Sequence, residues 1–399
     1  MAKPEIRLKG FDGEWGKDLI GNITTSYSGG TPSAGNPEYY SGSTPFIRSG
    51  EIHEDKTELY ISDKGLSNSS AKMVEMGTIL YALYGATSGE VDVSKIHGAI
   101  NQAILAIIPQ KGYDNYFLSY LLQGKKNNIV GTLLQGGQGN LSGALIKSYM
   151  INYPDYTEQQ NIADFFKALD SMIQGVTKKI ASLKQMKQAC LVSLFPQEGE
   201  TTPRVRFKGF KGDWVKVAMG DVFVERHEIS TITNELPQLS FTIEEGVIKP
   251  EDRKTNKRDF LIKDKTNKKY LVTYVDDIIY NPANVIYGAI HKNSLCNGVV
   301  SPIYKIFYTD QDASFMECVV RKTEFIQGMT VYMEGTVQKL KTLKPEAFLQ
   351  MVANIAPTKD EQIHIGRFFR SLDSQISLQE QRLEKLKQIK SACLDKMFV

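Results

Sequence analysis

Residues 158–173 read EQQNIADFFKALDSMI, and residues 361–376 read EQIHIGRFFRSLDSQI. In the first stretch and beyond it, Ile162, Phe166, Leu169, Ile173, Val176, Ile180 and Leu183 stand alternately four and three apart. That alternation is the seam of a heptad-patterned helix. The second copy puts Ile365, Phe369, Leu372, Ile376, Gln379, Leu383 and Leu386 on the same positions, with polar Gln379 where the first has Val176. Thr157 followed by Gln160, and Thr358 followed by Glu361, have the capping-box form that predicts each helix start, and Pro196 predicts the first stop. A helix of about 39 residues would be roughly 55–60 Å long. A rod of that length with a narrow apolar stripe cannot bury its own seam, so the two helices are expected to pack against each other, antiparallel if a two-fold axis relates the copies.

Working outward, KQMKQACL at 184–191 recurs as KQIKSACL at 387–394. Upstream, PEIRLKGFDGEWGKDLIGNI from Pro4 recurs as PRVRFKGFKGDWVKVAMGDV from Pro203, and these stretches hold both tryptophans, Trp15 and Trp214. The offset is 199 residues at the start (Pro4 to Pro203) and 203 at the helix (Glu158 to Glu361), so the intervening bodies have nearly equal lengths. Inside them, TILYALYGA from Thr78 resembles DIIYNPANVIYGA from Asp277, and GAINQAILAI from Gly98 faces GVVSPIYKIF from Gly298. These are short apolar runs bounded by Gly, Asn and Pro, the mark of paired strands, whereas YFLSYLLQGKK from Tyr116 reads as a short helix. The expected fold class is α+β, with two bodies of mixed character and β-rich cores, a pseudo-two-fold internal repeat, and two long antiparallel coiled-coil helices. The boundaries that follow are 1–155 for the first body, 156–196 for its helix, 197–202 for a linker, 203–356 for the second body and 357–399 for the second helix.

At 399 residues the chain is too long for one ordinary core. With 41% hydrophobic and 23% charged residues it belongs with folded proteins rather than disordered or fibrous ones. Its longest apolar stretches, such as 99–109, fall short of the roughly 20 residues of a membrane span. The start, MAKPEIRLKG, lacks a signal peptide's apolar core, which predicts a cytoplasmic protein. Cys190, Cys296, Cys318 and Cys393 show no CxxC spacing and read as reduced thiols. The net charge of +3 says little about nucleic acid, but its distribution says more. Residues 249–269 carry nine Lys or Arg against four Asp or Glu.

Two related but diverged bodies at a fixed separation suit a rod-shaped ligand with a helical repeat, and double-stranded DNA is such a ligand. At this point a resemblance enters. GGTPS from Gly29, EYYSGSTPFIRSGEI from Glu38, GATSG from Gly85, NQAI from Asn101, GQGNLS from Gly137 and TEQQNIADFFKALDSMI from Thr157, with the second module and helix repeated, resemble the specificity subunit of a Type I restriction-modification enzyme over the full length. The resemblance implies two target recognition domains, each reading one half of a bipartite asymmetric sequence, and helices that set the spacer. It implies no catalysis and no cofactor in this chain. S-adenosylmethionine, ATP and Mg are implied on partners, namely two methyltransferase subunits that modify adenine at N6 and restriction subunits that translocate and cut DNA. The second module departs from the pattern where GTVQKLKTLKPEAF from Gly335 replaces GQGNLS, which puts equivalent contacts there in doubt.

Three rival readings remain: the recognition part of another bipartite-site methyltransferase or restriction system, an enzyme with its own recognition domains, and a two-module protein scaffold. An adenine methyltransferase needs a DPPY-like loop, and the nearest match, Asn281-Pro282-Ala283-Asn284, lacks the second proline and the stacking aromatic and reads as a turn. No phosphate-binding GxxxxGK[ST] loop is present. Glu54-Asp55-Lys56 offers a nuclease-like triplet, but short charged triplets are common on surfaces. His53, His97, His227, His291 and His364 have no metal-ligand spacing.

Base edges are read by Arg and Lys at guanine and by Asn and Gln at adenine, while Lys, Ser and Thr hold phosphates. The candidate DNA contacts are therefore Thr31, Ser33, Arg48, Ser49, Lys64, Ser88, Gln138 and Asn140 in the first body. In the second they are Arg253, Lys254, Lys257, Arg258, Lys268 and Lys269. Of the Phe165-Phe166 and Phe368-Phe369 pairs, one member each is expected in the seam or core, and Phe165 and Phe368 are the candidate contacts to a methyltransferase subunit.

Overall fold

The computed structural model describes residues 3–133, 140–253, 268–334 and 341–398. They fall into two units, one made of Met1–Lys178 with Gln381–Val399 and one of Lys179–Glu380. Among the described residues, no helix is long and apolar enough to cross a membrane.

The first unit is layered around a four-stranded antiparallel sheet in the order Thr24–Ser28, Ile104–Pro109, Ile79–Ala82, Val91–Val93. Its central strands are apolar at every position because both faces are covered. Ile79, Tyr81, Leu105 and Ile107 point to one core, with Phe117, Phe166 and Phe398. Leu80, Ala82, Ile104 and Ala106 point to the other, with Ile47, Val74 and Ile100. The latter three come from a second four-stranded sheet, Tyr60–Ile61, Thr44–Ile47, Gly98–Ile100, Lys72–Val74, whose middle pair is parallel. A two-stranded ribbon of Gly16–Leu19 with Met150–Tyr153 leads into the first long helix, Tyr156–Ser193.

The second unit repeats this plan. Val215–Ala218 pairs with Val352–Ile355, and the central sheet runs Val224–Glu225, Lys305–Tyr308, Ile278–Tyr280, Ile290–Lys292. Ile278, Tyr280 and Phe307 face the helix-side core, and Ile279, Val300 and Ile306 the other. The outer sheet is rebuilt as three strands, Ile229–Ser230, Tyr270–Thr273 and Gly298–Val300, with a separate hairpin of Ser240–Thr242 and Gly246–Ile248. The duplicated sequence is thus one architecture in two versions, mixed α and β as its patterns predict. The second long helix is Lys359–Lys396.

Each unit takes the start of one long helix and the end of the other. In the first, Phe398 stacks on Phe166 at 5.7 Å and meets the edge of Phe117 at 5.7 Å. Asp170 accepts from Lys390 Nζ at 2.6 Å. Going from 166 to 170 on one helix means going from 398 back to 390 on the other, so the segments within this unit are antiparallel. The second unit is built alike: Phe195 stacks on Phe315 at 5.6 Å and lies 6.1 Å from Phe369, Lys187 pairs with Asp373 at 2.5 Å as Lys390 does with Asp170, and Lys184 adds a pair with Glu380 at 2.7 Å. Of the seam residues, Ile162, Phe166, Leu169, Val176, Ile180 and Leu183 on the first helix and Ile365, Phe369, Leu372 and Ile376 on the second are buried, while Ile173, Gln379, Leu383 and Leu386 are half-buried.

The helix starts are held by machinery that the sequence pattern only partly discloses. Arg7 donates from Nε and Nη2 to the two carboxylate oxygens of Glu158, and Arg206 does the same to Glu361, all four at 2.7 Å. Buried Gln159 and Gln362 each accept from the backbone of an N-cap residue, Asp114 and Asp312, and donate to Pro154 and Ala356 carbonyls. The expected Thr157 box is therefore corrected. Asp155 caps the first helix, its Oδ1 accepting from Glu158 N at 2.9 Å, because an aspartate at the junction outcompetes a threonine already inside the first turn. Thr358 does cap the second, accepting from Glu361 N at 3.3 Å. The Glu361 carboxylate, however, is committed to Arg206 rather than to the cap backbone.

Candidate nucleic-acid interface

The parallel pair in the first unit places two loops side by side. Ile47 and Ile100 are in register, and Asn101 N donates to Ile47 O at 3.3 Å, so Arg48-Ser49 and Asn101-Gln102 leave the sheet at the same end. The Gly29–Ser33 loop crosses over that end. Gly30 N donates to Ile100 O at 3.2 Å. A Cβ on Gly29 would lie 1.9 Å from Ile100 O, and one on Gly30 2.5 Å from Ser70 Cβ. Neither glycine has positive φ, so what requires them is closeness rather than backbone handedness. The crossing delivers Thr31 to Gln102, and the threonine hydroxyl donates to Gln102 Oε1.

Backbone bonds extend the cluster. Leu83 N donates to Ala103 O at 2.8 Å, and Leu83 O accepts from both Leu141 N at 3.1 Å and Ser88 Oγ at 3.2 Å. Ser88 belongs to the Gly85–Gly89 turn, and Asn140 immediately precedes Leu141. Four segments scattered over more than 100 residues of sequence (29–33, 85–89, 101–103 and 140–142) thus meet at one end of the central sheet.

Charges stiffen the rim. Arg48 donates from Nε and Nη2 to Glu51 at 3.1 and 2.9 Å and from Nη2 to Glu58 at 2.6 Å. Burial acts to raise the Glu51 carboxyl, but the hydrogen bonds from Arg48, Thr57 and two backbone amides outweigh it and hold the group at about 2. Lys64 pairs with Glu38 at 2.5 Å, beside the loop that carries Thr31. His53 Nδ1 lies 3.0 Å from Asp92, which raises the imidazole's affinity for a proton.

The second unit keeps the scaffold and changes the loops. Leu343 N donates to Pro282 O at 3.0 Å, as Leu141 does to Leu83, so the scaffold contact survives where the GQGNLS form is lost. Strand register sets Ser301-Pro302 where the first unit has Asn101-Gln102, and Glu228-Ile229 where it has Gly29-Gly30. Arg226, whose guanidinium lies 4.6 Å from the Tyr274 ring and 4.8 Å from that of Tyr308, makes a two-point pair with buried Asp277 at 2.8 and 2.9 Å. Asn281-Pro282-Ala283-Asn284 is a turn, with Asn281 Oδ1 accepting from Ala283 N at 3.0 Å.

Residues 13–185 match the family described as the Type I restriction modification DNA specificity domain. The chain is similar to the specificity subunit of a Type I restriction enzyme of Escherichia coli, 24% identical over 192 residues that make up 46% of this chain and 47% of that one. It is also similar to a Type I restriction enzyme specificity subunit of Methanocaldococcus jannaschii, 29% identical over 181 residues, 43% of this chain and 42% of that one. These matches span less than half the length of the curated relatives. In fold, the whole chain follows a crystal structure of the Type I restriction-modification system S subunit from M. genitalium, with TM-score 0.66, 14% identity, and coverage of 100% and 99% of the two chains. A structure from a study of complex assembly and conformational transition in the type I R-M system follows at TM-score 0.50 and 13% identity, covering 96% and 97%.

Within the matched residues, Thr31, Ser33, Arg48, Ser49, Ser88 and Asn140 lie on or beside the clustered loops, with Lys64 on the flank. Gln138, Lys254, Lys257 and Arg258 lie outside the described residues. Lys268 and Lys269 are exposed, with Lys268 Nζ 5.5 Å from the Tyr270 ring centre, and Arg253 is half-buried. Phe166 and Phe369 are core residues, while Phe165 and Phe368 stay half-buried, Phe368 against Phe207 at 5.9 Å. Residue type and motif alone do not single out Gln102, although its motif is visible in the sequence. The signal that points to it is the glycine pair at 29–30, which marks a close crossing. Glu54, Asp55 and Lys56 are simply exposed.

Proposed function

We propose that this chain is the DNA-specificity subunit of a Type I restriction-modification complex, non-catalytic in itself, in which each unit binds one half of a bipartite, asymmetric double-stranded target. The observation that carries this reading is the gathering of four separate loop segments at one sheet end in the first unit. The second unit keeps the same scaffold under different loops. Loops positioned by a rigid scaffold are where recognition residues belong, and two scaffolds with unlike loops read unlike sequences. The half-buried Phe165 and Phe368 are proposed contacts to two methyltransferase subunits, which would carry S-adenosylmethionine. Restriction subunits would carry ATP and Mg.

The test is to co-purify the chain with its methyltransferase partner and map methylated adenines on random-sequence duplexes. The expected result is a single two-part motif with a fixed gap, and no methyl transfer by this chain alone. Methylation spread over all sequences would overturn the reading. Pull-down with Phe165→Ala and Phe368→Ala tests the proposed docking contacts.

A further inference from the structure

We infer that Gln102 reads an adenine edge in one half-site, with Thr31 as the residue that positions its amide. The inference rests on the proposal that the first unit contacts DNA. Both side chains are 71 positions apart in sequence and joined by an exposed hydrogen bond at the centre of the loop cluster. A neutral bond between exposed groups adds little to stability. Yet the chain meets a demanding steric condition to make it, with Gly29 and Gly30 passing over Ile100 and Ser70 where no side chain fits. A juxtaposition so specific and so poorly stabilising points to recognition.

The chemistry then selects the base. The Thr31 hydroxyl occupies one lone pair of Gln102 Oε1 and fixes the plane of the amide. What remains is the second oxygen lone pair and the Nε2 donors, side by side. That acceptor–donor pair complements the N6 amino group and N7 of adenine in the major groove, and no other base presents the same combination there. Asn101 is held differently, its Oδ1 accepting from Ala103 N at 3.1 Å. In the second unit Pro302 stands at the Gln102 position and no glycine pair admits a crossing loop, so that half-site is read by other means.

The test uses the complete methyltransferase complex carrying the wild-type chain, Gln102→Ala, Thr31→Val or Thr31→Ser. Methylation rates are measured on duplexes substituted singly at every position of the motif. Gln102→Ala should relax discrimination at one adenine of one half-site by about 5- to 150-fold and leave every other position unchanged. Thr31→Val should relax the same position more weakly, and Thr31→Ser, which keeps the hydroxyl, should restore it. A uniform loss across all sequences, relaxation at scattered positions, or no change in base preference would each overturn the assignment. A wild-type complex with no sequence preference would instead sink the DNA-reading function itself, so the two failures are distinguishable.

Discussion

Arg7 grips Glu158 through two 2.7 Å bonds, and Arg206 grips Glu361 in the same way, each carboxylate being only 1% exposed. The arginine comes from the segment that opens each repeat, and the glutamate from the first turn of each long helix. The repeat's most recognisable sequence markers are thus the two halves of one clamp. Replacing one partner leaves the other buried and unpaired, which costs more than the pair itself contributes. Arg7→Ala and Arg206→Ala should each lower stability by about 3–5 kcal/mol in denaturant unfolding. Adding Glu158→Gln or Glu361→Gln to the matching arginine variant should recover part of the loss; a double variant as unstable as the sum of the singles would refute the clamp.

The C-terminal aromatic belongs to the core of the N-terminal unit. Phe398→Ala removes a ring packed against both Phe166 and Phe117, at a cost of about 3–5 kcal/mol. Hydrogen exchange should report faster opening at Phe117–Leu122 and around Phe166, with the second unit's helix Ala313–Val320 unaffected. Phe195→Ala should give the mirror result.

Two histidines respond to pH with opposite signs. His291 is 5% exposed; its Nε2–H donates to Ile243 O at 2.7 Å, while its Nδ1 accepts from Arg321 and faces Glu317 at 3.8 Å. Burial, reinforced by Arg321 and Lys187, depresses it to about 3. Its contribution to stability is complete above the ordinary histidine range and is lost as pH falls from about 6.5 toward 3, by at most about 1.4 kcal/mol per pH unit. His53, raised by Asp92, stabilises below the ordinary range and ceases to do so as pH rises through its elevated pKa. Thermal unfolding of His291→Gln should show a shallower acid-side slope than the wild type, most clearly between about pH 6.5 and 4.5 where carboxylates such as Glu51 do not yet titrate, and His53→Gln a shallower alkaline-side one.

If the basic stretch of the second unit tracks phosphate, replacing Arg253, Lys254, Lys257 and Arg258 with alanine should flatten the dependence of log affinity on log salt by up to about 0.9 for each phosphate no longer neutralised. The double variant of Lys268 and Lys269 should add to that effect. An unchanged slope in both would remove the segment from the interface.

The duplication and both long helices are legible in the sequence because apolar spacing reports burial directly, and Ile162, Phe166 and Leu169 are buried where the spacing puts them. The first cap is not legible in the same way: Thr157 fits the local pattern, while the choice of Asp155 depends on where the ribbon strand Met150–Tyr153 delivers the chain. The loop cluster is only half legible. Its motifs can be quoted one by one, but their meeting depends on a parallel strand pair, Thr44–Ile47 with Gly98–Ile100, which no local period announces. Arg48 shows the same limit: its type suggests a base contact, and only the fold discloses that Glu51 and Glu58 already engage Nε and Nη2.

The placement of Phe398 also sets a schedule. The first unit needs residues 381–398 to complete its core, and these are synthesised only after the whole of Lys179–Glu380. At roughly 5–20 residues per second, translation of that intervening stretch takes on the order of 10–40 s. For that interval Phe117 and Phe166 lack the ring that seals them, while the second unit, contiguous in sequence, can close once Ile376, the last residue of its core, has emerged. In a newly made chain the unit encoded first is therefore finished last, and that window is when aggregation or proteolysis would strike it.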